Sequence, residues 1–141
     1  MAIIHFFTED ITFKLAHPRK TASWITAVVK KERHSIKDIN YIFCSDVYLL
    51  QINKDYLNHN TLTDIITFDY SEGAKQLEGE IFISIERVKE NSSLYNTTFQ
   101  DELDRVLIHG ILHLIGYSDK KPAKKAQMRK KEEACLSLRT F

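Results

Sequence analysis

The clearest helical pattern in the sequence lies between Thr98 and Gly116. Apolar residues recur there three and four positions apart, which predicts a helix with one buried face. Thr98, followed three positions later by Asp101, predicts the start of this helix, and Gly116 can adopt the left-handed backbone that ends one. The predicted buried face consists of Leu103, Val106, Leu107, Gly110, Ile111, Leu114 and Ile115. A helix this apolar needs a large apolar partner, such as a sheet.

The rest of the chain supplies that partner. Apolar, β-prone runs predict strands at residues 3–7, 39–44, 65–70 and 78–84. Helical spacing predicts a helix at about 18–33. Candidate cap residues predict helices at about 46–57 and 85–91, and Pro122 predicts the start of a last helix to about 138. We expect the first strand to be buried on both faces, the last two strands to form a hairpin, and residues 91–97 to be a loop. This order predicts one α/β domain of the α+β type over residues 1–141, with a mixed, roughly four-stranded sheet and helices packed on it.

Composition narrows the function classes. The 141 residues are 43% hydrophobic and carry 20 Lys and Arg against 19 Asp and Glu, so net charge gives no argument for a polyanionic partner. Cys44 and Cys135, the only two cysteines, lack the spacing of a cysteine metal site and suit a reducing compartment. Because no apolar run is long enough to span a membrane, we expect a cytoplasmic protein without a membrane partner.

The predicted helix carries the residues that point to chemistry. His109 and His113 are four positions apart, so both rings lie on one face of the helix about one turn from each other. Asp119 follows Gly116 by three positions, where a reversed chain can bring its carboxylate under the helix. Two imidazoles and a carboxylate suit a tetrahedral ion such as Zn²⁺ and leave a fourth position for water. The alternative is that these are ordinary buried histidines followed by a turn aspartate; the combined spacing favours the metal.

The same spacing resembles that of the metzincin proteases, which also place two histidines, a glycine and a third ligand at these offsets. Those enzymes have a glutamate directly after the first histidine as general base, and this chain has Gly110 there. Met1 and Met128 give no sign of the methionine turn of that class. The sequence therefore disfavours peptide hydrolysis.

Three segments together resemble the bacterial YbeY family. Residues 109–119, HGILHLIGYSD, are similar to the family signature HGxLHLxGYDH. The residues that match are His109, Gly110, Leu112, His113, Leu114, Gly116 and Tyr117. Residues 63–68, TDIITF, resemble the family strand (T)(D/N)VLSF, and residues 79–84, GEIFIS, resemble GDIxIS. Over the first 50 residues only the order of predicted elements agrees.

The resemblance implies a zinc-dependent endoribonuclease that acts on single-stranded RNA. It implies a role in ribosomal RNA maturation at the 16S 3′ end and in ribosome quality control, with the ribosome or ribosomal proteins as partners. It assigns no general base or nucleophile to this chain.

Two positions depart from the family pattern. The closing Asp-His of the signature is Ser118 and Asp119 here, so a carboxylate takes the place of the third histidine. Aspartate is a zinc ligand, so we expect one Zn²⁺ per chain, although a harder donor leaves the identity of the ion open. The family's loop arginine is Leu57 here, and its phosphate contact is therefore not carried over.

Positive charge is concentrated directly after the signature. Residues 120–131 contain seven Lys and Arg side chains and no acidic one. The predicted RNA contacts among them are Lys120, Lys121, Lys124 and Lys125. The alternative is a solvated helix face balanced by Glu132 and Glu133. Arg105 could steady a phosphate or pair with Asp101.

Two other functions compete with the endoribonuclease. One is a metalloprotease-like hydrolase, which would turn over peptides and ignore RNA. The other is a non-catalytic ribosome-assembly factor with a structural metal, which would bind RNA without cutting it.

Overall fold

Four strands and five helices follow one another in the computed structural model of the protein, which describes residues 3–73 and 75–141. The strands are β1 (Ile4–Thr8), β2 (Ser35–Cys44), β3 (Ile65–Asp69) and β4 (Gln76–Ser84). The helices are α1 (Pro18–Lys31), α2 (Asp46–Leu57), α3 (Ile85–Leu94), α4 (Phe99–Ile115) and α5 (Pro122–Leu136). Within the described ranges, none of these helices has the length and apolar character needed to cross a membrane.

The strands form one mixed sheet in the order β1-β2-β4-β3. β2 runs parallel to both β1 and β4, whereas β3 pairs with β4 in the antiparallel sense, with Thr67 opposite Ile81. The predicted four-stranded mixed sheet and the β3–β4 hairpin are therefore confirmed. β3 lies at an edge of the sheet, so its outer side is free to line a cleft.

Helices cover both faces of this sheet. Ile81 and Ile83 of β4 are fully buried in the larger apolar core, together with residues of α1 and α4. Phe82, between them, packs with Leu49 of α2 in a smaller cluster on the opposite face. This alternation along β4 is the period of two that a strand imposes. Consequently α4 packs on one face of the β3–β4 hairpin and α2 on the other.

The ends of α4 follow from its sequence. The Thr98 hydroxyl accepts a hydrogen bond from the Asp101 amide at 3.1 Å, as an N-cap residue does. Gly116 ends the helix with φ +124°, a backbone conformation that side-chain-bearing residues rarely adopt. Both predicted ends of the helix are therefore confirmed, and the sharp end at Gly116 lets the chain turn back toward the histidines.

Two local expectations were wrong. β1 is an edge strand, and Phe7 near its end is 51% exposed, so the strand is not buried on both faces. Residues 91–94 continue α3 instead of forming a loop. The Ser84 hydroxyl caps α3 by accepting from the Arg87 amide, and Val88 and Ser92 are buried on it. This packing outweighs the weak helix propensity of the asparagine and serines in its last turn.

Candidate metal centre

Three side chains converge at the end of α4. The rings of His109 and His113 lie with their centroids 4.9 Å apart, and Asp119 comes from the loop that follows Gly116. One Asp119 oxygen is 3.4 Å from His109 Nε2, and the other is 3.5 Å from His113 Nε2. One ligand atom from each of the three residues can be chosen so that all lie within 4.8 Å of one another. The structure thus brings together the three residues that the sequence singled out.

The donor set and its spacing fit a divalent ion. Zinc takes imidazole nitrogens and carboxylate oxygens at about 2.0–2.1 Å, so ligand atoms around a tetrahedral ion lie roughly 3.4 Å from one another. One Asp119 oxygen lies at that separation from His109 Nε2, and the other lies at that separation from His113 Nε2. The side chains of His113 and Asp119 are 34% and 38% exposed, so the centre opens to solvent. Histidines that only fill a core would not face an opening in this way.

The loop that carries Asp119 is anchored to α1. The Tyr117 hydroxyl donates a hydrogen bond of 2.7 Å to Glu32, the residue that follows α1. Lys131 of α5 pairs with the same carboxylate at 2.6 Å and lies over the Tyr117 ring. These contacts restrain the chain two residues before Asp119.

A second carboxylate contacts the far side of His109. Nδ1 of His109 lies within hydrogen-bond distance of Oε2 of Glu132, and Oε1 of Glu132 accepts from Arg105 Nη1 at 2.9 Å. Arg105 also pairs with Glu102, and both glutamates are only 2% exposed. Of the two alternatives left open for Arg105, the pairing with Asp101 does not form, because Asp101 pairs with Arg139 instead.

Glu132 is a contact that the sequence interpretation missed. It was grouped with Glu133 as a solvated charge balancing the lysines, but it lies on the buried face of α5 with Met128 and Cys135. Those three positions are four and three residues apart, and that spacing was the available signal. Burial alone would raise the pKa of Glu132, yet the hydrogen bonds and charges of His109 and Arg105 outweigh burial and hold its pKa below the ordinary value. Glu132 is therefore an ionised acceptor at neutral pH.

The three metal-ligand candidates line a cleft of about 770 Å³, together with residues of edge strand β3. Lys120, Leu57 and His59 line the same cleft. Leu57 occupies the position of the family's loop arginine, so an apolar side chain faces the cleft there. His59, two positions later, adds a polar ring to the lining.

Asp64 also lines this cleft, directly before β3, and the sequence interpretation did not single it out. Its backbone oxygen accepts from the Ser84 amide at 3.0 Å, and its side chain accepts from Asn91 at 3.4 Å. Burial raises the pKa of Asp64, and the nearby charges of His109 and Arg105 oppose the rise without cancelling it. A partly buried carboxylate thus faces the same space as the three candidate ligands.

The predicted RNA contacts lie beside the cleft. Lys120 lines it, and Lys121, Lys124 and Lys125 are exposed where α5 begins. No acidic residue lies in the first turn of α5. Lysines there oppose the helix dipole, so the arrangement does not serve helix stability.

The comparisons with known proteins identify the family. The family model described as Endoribonuclease YbeY matches residues 4–139. The chain belongs to the YbeY family. The match includes the first 50 residues, where the sequence resemblance rested on element order alone.

Individual YbeY relatives agree over nearly the whole chain. An endoribonuclease YbeY of Cytophaga hutchinsonii is 54% identical over 138 residues, which cover 98% of this chain and 96% of the relative. One of Flavobacterium psychrophilum is 48% identical over 132 residues, covering 94% of each chain. A Thermotoga maritima protein solved in solution superposes with a TM-score of 0.66 at 28% identity, covering 95% of this chain and 87% of that one. The resemblance that the three sequence segments indicated is therefore confirmed.

Proposed function

We propose that this protein is a metal-dependent endoribonuclease that cleaves single-stranded RNA. The observation that carries the proposal is the placement of Asp119 at ligand distance from both His109 and His113, in an open cleft of a YbeY-family chain. The family description and the relatives' names supply the reaction class. The three side chains are the ligands of one Zn²⁺ per chain, because two imidazoles and a carboxylate are a zinc donor set.

The biological role follows from family membership. We assign to the chain the maturation of ribosomal RNA at the 16S 3′ end and ribosome quality control, with the ribosome or ribosomal proteins as partners in the cytoplasm. Residues 1–141 act as one domain in this assignment. Its support is the match of the YbeY model over residues 4–139.

Each residue of the centre has a part in this chemistry. A bound zinc ion supplies a Lewis acid that lowers the pKa of a coordinated water and offsets charge developing at the phosphate. His109 and His113 both direct Nε2 toward Asp119, the third proposed ligand. Arg105 is occupied by two buried glutamates, which disfavours the phosphate contact considered for it.

The RNA strand approaches along the lysines. Lys120, Lys121, Lys124 and Lys125 extend from the cleft onto the start of α5, and their ammonium groups can neutralise phosphates without reading sequence. Exposed backbone contacts of this kind suit an unpaired strand. The lysines would thus guide the strand into the cleft.

The structure adds a reason to disfavour the peptidase. A side chain at position 110 would meet Ile81 and Ile65, so this position faces the packed β3–β4 hairpin. The general base of the metzincins has no equivalent at this position. We therefore expect no turnover of a peptide substrate.

Purified protein incubated with unstructured RNA and with peptide, each with and without a chelator, tests the proposal. We expect RNA cleavage that chelation abolishes and added zinc restores, with peptide left intact. His113→Ala should lower cleavage by at least about 100-fold. Removing a residue that only hydrogen-bonds to a metal ligand typically lowers activity by about 10–100-fold, and removing the ligand itself should lower it more. The matched control is His34→Ala, in the connection between α1 and β2, which should cleave normally.

The other outcomes decide against the proposal. Cleavage that persists in His113→Ala would identify a contaminating nuclease. Peptide turnover without RNA cleavage would establish the metalloprotease-like hydrolase. RNA binding by zinc-loaded protein without cleavage would establish the assembly factor with a structural metal.

A further inference from the structure

We propose that Glu132 is a positioning residue that holds His109 in the tautomer able to bind a metal through Nε2. The inference rests on the proposed metal centre but concerns a residue outside the ligand set. The contact is direct, since Nδ1 of His109 and Oε2 of Glu132 are within hydrogen-bond distance. Glu132 lies on α5, 23 positions from His109 along the chain, so tertiary packing brings the two together.

The chemistry of the two partners determines the direction of this hydrogen bond. An ionised carboxylate can only accept, so Nδ1 of His109 must carry the proton. In a neutral imidazole the other nitrogen then has a free lone pair, and Nε2 is the atom that faces Asp119 at 3.4 Å. A ligating histidine whose second nitrogen donates to a carboxylate is a general arrangement in metal proteins.

The position of Glu132 is itself restrained. Its other oxygen accepts from Arg105 Nη1 at 2.9 Å, and Arg105 is held from its opposite side by Glu102. Helix α5 is fixed by the hydrogen bond that Trp24 Nε1 donates to the Cys135 oxygen at 2.9 Å. Because both ends of the carboxylate are engaged and its helix is anchored, Glu132 orients the His109 ring instead of following it.

The charges of this network favour a cation on the other side of His109. Glu102 and Glu132 contribute two buried negative charges, and Arg105 contributes one positive charge. A buried carboxylate without full compensation is costly. A cation bound at Nε2 of His109 would reduce that imbalance through the ring, so the network is preorganised for metal and not only for helix packing.

The substitution Glu132→Gln tests the tautomer because a side-chain amide has only one oxygen. Arg105 is always charged and retains that oxygen, so the amide NH₂ group faces Nδ1 of His109 and donates to it. The proton of the ring then moves to Nε2, where it blocks metal binding. We expect the dissociation constant for zinc, measured by competition with a chromophoric chelator, to rise roughly 10–100-fold.

The matched control is Glu133→Gln, which makes the same chemical change at the next residue, where the side chain is 67% exposed. It should leave zinc affinity within about twofold of wild type. The conservative variant Glu132→Asp keeps two accepting oxygens and should recover part of the affinity lost in Glu132→Gln. Zinc affinity in Glu132→Gln equal to that of wild type would overturn the proposal.

A spectroscopic readout distinguishes positioning from a merely structural role. In the metal-free wild type at about pH 8, where imidazoles are ordinarily neutral, ¹⁵N NMR should show the His109 proton on Nδ1, and in Glu132→Gln on Nε2. A wild-type His109 protonated on Nε2 would overturn the proposal even if Glu132→Gln fails to fold. Neither measurement uses RNA, so loss of the endoribonuclease assignment would leave this result standing, and the reverse also holds.

Discussion

At the scale of single residues, Gly110 permits close packing of the same helix that carries the two candidate histidine ligands. It directly follows the first candidate ligand, His109, and the sequence analysis placed it on the predicted buried face and noted that it cannot serve as a general base. In the structure, a Cβ atom at this position would lie 3.0 Å from Ile81 and 3.1 Å from Ile65. The glycine therefore lets α4 approach the β3–β4 hairpin closely, which sets the height of the histidines above the sheet.

Gly110→Ala should lower the free energy of unfolding by about 1 kcal/mol. Overpacking against Ile81, which is fully buried, lowers the free energy of unfolding by roughly 1–3 kcal/mol. The better helix propensity of alanine raises it by up to about 1 kcal/mol. Urea denaturation of the metal-free protein measures the change. The control is Gly73→Ala, where nothing lies within 4 Å of the added Cβ, and stability should stay within about 0.5 kcal/mol. An equal effect of the two substitutions would contradict the close-approach argument.

At the scale of elements, the contact between α1, α5 and the loop before Asp119 depends on one ionised carboxylate. Burial raises the pKa of Glu32, but the hydrogen bonds from Lys131 and Tyr117 lower it more, so the net pKa lies below its ordinary value. A carboxyl group with a depressed pKa in the fold stabilises the fold where it is ionised. Its contribution is full above the unfolded pKa, about 4.3, and is lost as pH falls through the lower folded pKa.

Glu32→Gln should therefore destabilise the protein by about 1 kcal/mol near pH 7 and by progressively less below about pH 4.3. Urea midpoints of wild type and variant between about pH 3 and 7 give this difference. Glu133→Gln, at an exposed site, should show a small difference throughout. A Glu32→Gln effect that is constant over the whole pH range would rule out the ionised contact.

The first turn of α5 makes a prediction for RNA binding. If Lys124 and Lys125 contact phosphates, Lys124→Ala/Lys125→Ala should weaken binding of every single-stranded sequence about equally. The slope of log K against log salt should become shallower by roughly 1.4, or about 0.7 for each lost contact. Fluorescence anisotropy at several salt concentrations measures the slope.

The matched double variant for this test is Lys14→Ala/Lys20→Ala, with one lysine in the connection after β1 and one in the first turn of α1. It removes the same charge away from the cleft. An equal change of the salt slope in the two double variants would show that only net charge matters. It would contradict the proposed RNA path along the first turn of α5.

At the scale of the whole molecule, the candidate metal centre joins parts of the fold that are far apart in sequence. Its candidate ligands come from α4 and the following loop, and Glu132 behind His109 comes from α5. The cleft is also lined by α2, by the connection that follows it and by β3. An ion held at this point would be bound by the folded chain and not by the unfolded one, so binding and folding should be linked.

Zinc should accordingly stabilise the protein. At a free concentration 100 times its dissociation constant, an ion that binds only the folded state adds about 2.7 kcal/mol. For a chain of this size the melting temperature should rise by roughly 5–15 °C. Thermal scans with and without zinc measure the shift, which His109→Ala should abolish. His5→Ala, on edge strand β1, should retain it, and a shift in His109→Ala would place the ion elsewhere.

The local physics of the chain was sufficient to predict most elements and to single out the three side chains that the structure brings together. Apolar periodicity, the Thr98 cap and the Gly116 end predicted α4, and the four-residue spacing of His109 and His113 placed both rings on one face. These features depend on neighbours within a turn or two, and such interactions are present in the sequence itself. The edge position of β1 and the length of α3 depended on packing partners, and those two expectations were wrong.

The tertiary structure decided which side chains from distant segments lie around the candidate metal centre. Glu132 is 23 positions from His109, Lys131 is 99 positions from Glu32, and Asp64 reaches the cleft through the pairing of β3 with β4. From sequence alone, a glutamate on a highly charged helix is predicted to be solvent-exposed. Its actual burial depends on which elements pack against that helix, and the sequence does not show this. The sequence alone was therefore enough to single out the candidate ligands, because they lie close together along the chain. Only the fold shows the buried carboxylate that contacts one of them and the cleft into which they open, because both depend on packing between distant segments.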